Sequence, residues 1–304
     1  MGVAALWFGT ELTIGGAVRI AKQHSLSEFF VGLAILSMGS DLPELAIAID
    51  AGIKNRLGGE VSGIVVGTSI GSIAGQMGFV LGVTGLIGYL VLPRRYIYQH
   101  GAVFLGALFV LFLVAFDGVV NRIEGIILIT LYLVYVFLLL RGEKTQFDVS
   151  EPRANARINP WILMALGLVI IIGGSELTVQ SAVTLASRLH ISEAFISVVI
   201  IGLGSSLPEL SISVSAIMKN KTRLSVGNII GSNILDTLLP IGIAAVISPV
   251  LFDRELLLFD LPYIFMLSLI TLYLFVRVSG LQKKEAGFVL GLYLLYLLIK
   301  FFQQ

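Results

Sequence analysis

Cysteine is absent from the 304-residue chain, which excludes disulfides, zinc–thiolate centres and thiol catalysis and leaves the redox compartment unreadable. Charge is scarce. Asp, Glu, Lys and Arg make up 13% of the residues and hydrophobic side chains 57%, whereas an ordinary soluble domain is roughly a quarter charged. The few charges nearly cancel, at a net +1, so no nucleic-acid partner is expected. A phosphate-cradling Gly-x-x-x-x-Gly-Lys-Ser/Thr loop is missing, which disfavours an ATP-driven pump. Histidine occurs only as His24, His100 and His190, all read as loop-edge residues without a role. The N-terminus lacks a basic region and a cleavage site leading into a soluble domain, so a removable signal is not expected.

What is present is apolar. The mean hydropathy is +0.97, so lipid is the solvent, and a membrane helix takes about 20 such residues. Ten hydrophobic segments are predicted, at about 3–22, 27–53, 61–92, 97–115, 120–140, 160–186, 192–218, 223–251, 256–276 and 283–302. The expected fold is therefore an all-α membrane protein. The longest polar stretch, Arg141 to Asn159, divides it into a first five-helix repeat (1–140), a linker (141–159) and a second five-helix repeat (160–304).

The halves repeat. Gly9-Thr10-Glu11-Leu12-Thr13 matches Gly174-Ser175-Glu176-Leu177-Thr178, and Leu42-Pro43-Glu44-Leu45 matches Leu207-Pro208-Glu209-Leu210, both at an offset of 165 residues. Further on the offset is 160, where Gly67-Thr68-Ser69-Ile70-Gly71-Ser72 matches Gly227-Asn228-Ile229-Ile230-Gly231-Ser232. Five helices per copy is an odd number, so the copies cross the membrane in opposite senses, an inverted repeat whose site is expected near the midplane. Fourteen Lys and Arg, Arg19, Lys22 and Lys221 among them, fall on one side, and six (Lys54, Arg56, Arg122, Arg188, Arg254 and Lys300) on the other. The richer side is predicted to be cytoplasmic and both termini extracellular. The first segment begins only eight residues before Gly9, against about 13 before Gly174, and is expected to be short by several residues.

Each copy puts a proline and a carboxylate inside an apolar run. Pro43 cannot donate to the Gly39 carbonyl, nor Pro208 to that of Gly204; unpaired backbone at membrane depth survives only against protein or a wet cavity, and each freed carbonyl is a candidate cation ligand. Glu44 follows Ser40 by four positions and Asp41 by three, so the three share a helical face. Ser205, Ser206 and Glu209 repeat the arrangement. Ser72 with Gln76, and Ser232 with Asp236, are spaced i, i+4. All these donors are oxygens, which selects hard cations such as Ca²⁺ and Na⁺. Each carboxylate in the bilayer centre costs at least about 2.5–3.5 kcal/mol. Asp41, Glu44, Glu209 and Asp236 together therefore call for bound cations or protons.

These residues resemble the cation/calcium exchanger superfamily, the prokaryotic sodium/calcium exchangers in particular. The second copy, Gly204-Ser205-Ser206-Leu207-Pro208-Glu209 with Gly227-Asn228-Ile229-Ile230-Gly231-Ser232-Asn233-Ile234-Leu235-Asp236, follows the family's alpha-repeat almost throughout. The resemblance implies ten helices, alternating access, and ion coordination by Ser40, Glu44, Ser72, Ser205, Ser206, Glu209, Ser232 and Asp236. Asp41 and Gln76 match ligands by position but not by type, and Thr68 and Ile73 stand where the family has asparagine. The implied activity is antiport of Ca²⁺ against Na⁺ by a multi-pass cell-membrane protein acting as a monomer. No cofactor is expected, and proton-coupled divalent exchange is the alternative. An intramembrane aspartyl protease with an Asp41–Asp236 dyad leaves the duplicated Pro-Glu elements unused, and a channel needs a continuous pore rather than one occluded site. Glu11 and Glu176 are expected to bond between helices or sit at the mouth. Asp50, Asp117, Asp253 and Asp260 are read as solvated or capping residues.

Overall fold

The computed structural model describes residues 2–59, 62–142, 159–188 and 204–303. Most of the linker, His190, Gly202 and Leu203 lie outside them. Eleven helices are described: α1 (Gly2–His24), α2 (Glu28–Ser40), α3 (Leu42–Arg56), α4 (Ser62–Ile87), α5 (Arg94–Val114), α6 (Arg122–Gly142), α7 (Pro160–Arg188), α8 (Leu207–Met218), α9 (Thr222–Ile247), α10 (Leu256–Val278) and α11 (Lys283–Gln303). Eight are long and apolar enough to cross a membrane. A ninth candidate is α2 with α3, bent by 44° where they meet. With 23 residues against 29 in α7, α1 is the shorter of the repeat-related pair, yet it exceeds the span length.

The most enclosed element is α9. Some 89% of its apolar window is buried, against 22% for α6 and α11. It runs through the middle of the larger apolar core, with less buried helices around it. Its glycines explain the fit. A Cβ on Gly227 or Gly231 would fall on the backbone carbonyls of Phe29 and Leu33 in α2, so backbone meets backbone there. The stretch of α2 that receives them, Val31–Leu36, is π-helical, a bulge of the kind frequent at functional sites. A second lies in α4 at Gly75–Val80. A smaller core joins α1 and α7, where Gly9 meets the Gly167 backbone.

Two short contacts tie the loops together. Val119–Val120 pairs antiparallel with Val250–Leu251 just before α6 and just after α9, and Leu90 bridges Leu281. Two sequence-based expectations are corrected here. Asp260 is neither solvated nor a cap. It is fully buried in the π-helical start of α10, accepting from the Tyr296 hydroxyl and, at 3.1 Å, from Lys300 Nζ. His100 is not at a loop edge. It lies buried within α5 beside Phe29 and Tyr96, with Nδ1 2.9 Å from the Tyr135 hydroxyl. Both sit near the start of an apolar helix, where sequence alone reads as periphery. Asp50 is solvent-exposed with Lys54, and Asp117 accepts from the Val119 N–H, as expected.

Candidate cation site

The two Pro-Glu motifs build the same kink. Asp41, between α2 and α3, has φ −87° and ψ 7°. Ser206, immediately before α8, has φ −91° and ψ 6°. Both lie in the bridge region, immediately before a helix. The chain restarts the same way in each, with Leu45 N–H donating to the Asp41 carbonyl (3.1 Å) and Leu210 N–H to that of Ser206 (2.9 Å). Pro43 and Pro208 occupy the first turns of α3 and α8, where a missing N–H costs nothing. Glu44 and Glu209 fall in the same first turns, at the positive end of each helix dipole. The carbonyl of Gly204 is not left bare, because the Ser175 hydroxyl of α7 donates to it at 3.3 Å.

The two halves meet through side chains. The Gln76 amide of α4 donates to Asp236 Oδ2 of α9 at 2.9 Å, and the hydroxyls of Ser72 and Ser205 lie 3.4 Å apart. Ser40 donates to the Ser37 carbonyl at 3.2 Å and approaches Asp41 Oδ1 at 3.4 Å. Asp41 interacts electrostatically with Asp236, Glu209 and Glu44, and Glu44 with Glu209 and Asp236. All four carboxylates are buried, as are Ser40, Ser72, Gln76, Ser206 and Ser232; Ser205 is half-buried. Gly39 is buried against Leu168 of α7, and Gly204 faces Val179. Every residue singled out from the sequence thus lies on the two kinks or the two facing helices.

Eight buried oxygens on seven of these side chains have no hydrogen-bond partner among the described residues: Asp41 Oδ2, Glu44 Oε2, Gln76 Oε1, Ser206 Oγ, both oxygens of Glu209, Ser232 Oγ and Asp236 Oδ1. Each neutral group so placed costs about 1–3 kcal/mol, and a charged one more. A hard cation removes that cost, since Ca²⁺ takes six to eight oxygens in flexible geometry. Among the described residues no three acidic or imidazole groups converge into a cage by themselves. The donor set is therefore mixed, with carboxylates supplying charge and hydroxyl and amide oxygens completing it. No imidazole or sulfur belongs to it, which fits Ca²⁺ and Na⁺ rather than zinc or copper.

The model of the family described as "Sodium/calcium exchanger protein" matches residues 1–141 and 159–302. The chain belongs to the sodium/calcium exchanger family. Within this family it is 26% identical to the sodium/calcium exchanger MaX1 of Methanosarcina acetivorans over 99% of this chain and 97% of that protein. An uncharacterized membrane protein of Methanocaldococcus jannaschii is 28% identical over 97% of this chain and 94% of its own length. Among solved structures, the sodium-calcium exchanger NCX_Mj soaked with Na⁺ and Sr²⁺ superposes with a TM-score of 0.82 at 26% identity, covering 97% of this chain and 94% of that one.

Three polar residues near this exchanger-family site escaped the sequence reading as members of it. Ser175 caps the Gly204 carbonyl, and its only signal was the duplicated Gly-Thr/Ser-Glu. Asn228 is fully buried with both amide atoms unpartnered among the described residues, as is Asn233 Oδ1; the signal was their place in the second alpha-repeat. Glu11 and Glu176 stand apart. Glu11 accepts from Lys219 at 2.6 Å, and Glu176 from Gln180 on its own helix.

Proposed function

We propose that the chain is a secondary antiporter that moves Ca²⁺ against Na⁺ by alternating access at the site between the two kinks. The observation that carries this reading is the set of eight unpartnered buried oxygens, four of the contributing side chains being carboxylates, contributed from both halves. Ligands are assigned to Ser40, Asp41, Glu44, Ser72, Gln76, Ser205, Ser206, Glu209, Ser232 and Asp236, together with the backbone carbonyls of Gly39 and Gly204. Ca²⁺ and Na⁺ are cargo here, and the reading is transport rather than catalysis.

The proposed architecture is ten membrane helices as two inverted repeats, 1–140 and 160–304, joined by the linker 141–159. Among the described residues, the eight long helices and the bent α2–α3 pair support nine of these spans, and α8 is a shorter apolar helix. So do the matched dihedrals of Asp41 and Ser206. The side assignment, with both termini extracellular, is supported by the loop contacts. Lys221 pairs with Glu28 at 2.6 Å, and the β-pairing joins the loop that leads into Arg122 to the loop that leads into Arg254. Each contact joins loops that the charge count places on one side. We infer a monomer as the working unit, each copy holding a whole site.

The test is uptake of ⁴⁵Ca²⁺ into liposomes holding the purified protein. Uptake is expected when internal Na⁺ exceeds external Na⁺, to collapse when the gradient is dissipated, and to be absent in Glu209→Ala. Uptake that follows a pH gradient and ignores Na⁺ would shift the assignment to proton-coupled exchange, and uptake indifferent to both would end the antiport reading.

A further inference from the structure

The unpartnered buried oxygens do not stop at the ligand set assigned above. Ser213 of α8 and Ser225 and Asn228 of α9 are fully buried. The two hydroxyls and both amide atoms have no hydrogen-bond partner among the described residues.

The α8–α9 hairpin brings these residues together. At its turn the Lys221 N–H donates to the Ala216 carbonyl at 2.8 Å. At its far end the Ser206 hydroxyl lies 2.6 Å from where a Gly75 Cβ would be, and the next residue of α4, Gln76, bonds Asp236. With both ends fixed, the two helices run antiparallel. Ser213 is five residues before the end of α8 and Asn228 six after the start of α9, about 7.5 and about 9 Å from the turn at ~1.5 Å per residue. They stand at one level. Ser213 follows Glu209 by four positions, and Asn228 precedes Ser232 by four and Asp236 by eight. Each therefore continues the helix face that carries the ligands. Ser225 continues it one turn nearer the loop. On one side α2 walls this groove, where a Cβ on Gly32 would lie 2.9 Å from the Asn228 backbone nitrogen.

The first half does not repeat the arrangement. The counterparts of Ser213, Ser225 and Asn228 are Ala48, Val65 and Thr68. The first two are apolar, and the Thr68 hydroxyl already donates to the Ile64 carbonyl at 2.7 Å. The lysines at the turn do not oppose a cation, because Lys219 pairs with Glu11 and Lys221 with Glu28, each at 2.6 Å.

We propose that Ser213 and Asn228, with Ser225 beyond them, form an additional Na⁺ position one turn from the main site on the side of the 219–221 turn. Glu209 borders it one turn away, with both carboxylate oxygens unpartnered among the described residues. Its own donors are neutral oxygens, which suit a hard cation. The desolvation of an ion grows steeply with its charge and needs charged partners to offset it. A pocket without a carboxylate of its own therefore takes a monovalent ion, and Ca²⁺ stays among the four carboxylates. The inference rests on the reading of the main site as a Ca²⁺/Na⁺ site.

The experiment is equilibrium binding of ²²Na⁺ and, separately in Na⁺-free buffer, of ⁴⁵Ca²⁺ to the purified full-length protein. Asn228→Leu is expected to weaken Na⁺ binding about tenfold, the size of a lost contact to a charged group, with one Na⁺ fewer bound per chain, while Ca²⁺ affinity moves by less than about threefold. Ser213→Ala, a smaller change, should repeat that split. Thr68→Val, at the counterpart position, should change neither ion. The ion-free melting temperature of Asn228→Leu should hold or rise, since an unpaired buried amide is removed. Unchanged Na⁺ binding in Asn228→Leu and Ser213→Ala, as when the groove holds only water, overturns the proposal. So does an equal loss of Na⁺ and Ca²⁺, which marks a packing role. Absence of ⁴⁵Ca²⁺ binding in the unsubstituted protein overturns the antiport reading instead, and the ²²Na⁺ arm still decides the Na⁺ position.

Discussion

Glu209→Gln abolishes Ca²⁺-driven exchange while leaving the protein folded. Glu209 is buried in the first turn of α8, and neither carboxylate oxygen has a partner among the described residues. It shares the site with Asp41, Glu44 and Asp236. At about 4 Å and an effective dielectric near 20, one carboxylate attracts a divalent ion by about 8 kcal/mol before desolvation is subtracted. Removing the charge but keeping the shape should leave a net loss of about 3 kcal/mol, or about a hundredfold in Ca²⁺ affinity. The ion-free protein responds the other way. With one uncompensated buried charge fewer, its melting temperature should rise, and the further rise that Ca²⁺ gives the unsubstituted protein should disappear. Thermal unfolding with and without Ca²⁺ reads both effects, and a retained Ca²⁺ shift in Glu209→Gln would count against Glu209 as a ligand.

Gly231→Ala damages both fold and transport, although glycine and alanine differ by one methyl group. A Cβ at position 231 falls on the Leu33 carbonyl of α2 and lies 2.7 Å from the Ser37 hydroxyl. The obstacle is backbone, which cannot rotate away as a side chain can. Overpacking of this kind costs about 1–3 kcal/mol, and the upper end is expected here. Ser232 adjoins the displaced residue and Asp236 lies little more than one turn further along α9, so the ligands shift with it. Gly106→Ala is the control. Nothing among the described residues lies within 4 Å of a Cβ there, and alanine is the better helix former. Gly231→Ala should lose most uptake and melt several degrees lower, while Gly106→Ala does neither. Equal behaviour of the two would mean that α9 and α2 are not in backbone contact.

The site was legible in the sequence because proline and carboxylate are both costly inside a membrane helix. Their doubling at a fixed offset located Glu44, Glu209 and the two kinks, and the i, i+4 spacing located Ser72, Gln76, Ser232 and Asp236. What stayed hidden was which faces meet. Spacing says nothing of the Gln76–Asp236 hydrogen bond, whose partners are 160 residues apart, nor of Ser175 reaching the Gly204 carbonyl. Asp260 and His100 were placed outside because they stand near charged helix starts, yet each found a tyrosine from a later helix and went inside. The π-helical bulges at Val31–Leu36 and Gly75–Val80 have no local signature either. They arise where α2 and α4 fit themselves to glycine-lined and tyrosine-bearing neighbours. Asp41 shows the limit from the other side: its departure from the repeat was plain in the sequence, but its approach to the Ser40 hydroxyl was not.

The central claim is that both halves form one site for which Ca²⁺ and Na⁺ compete. Calorimetric titration of the purified protein with Ca²⁺ at a series of Na⁺ concentrations tests it most directly. The account predicts one Ca²⁺ site per chain, with an apparent affinity that falls steeply as Na⁺ rises and is lost in Glu44→Gln and Glu209→Gln alike. Ca²⁺ binding that ignores Na⁺, or that survives the loss of either glutamate, would contradict it.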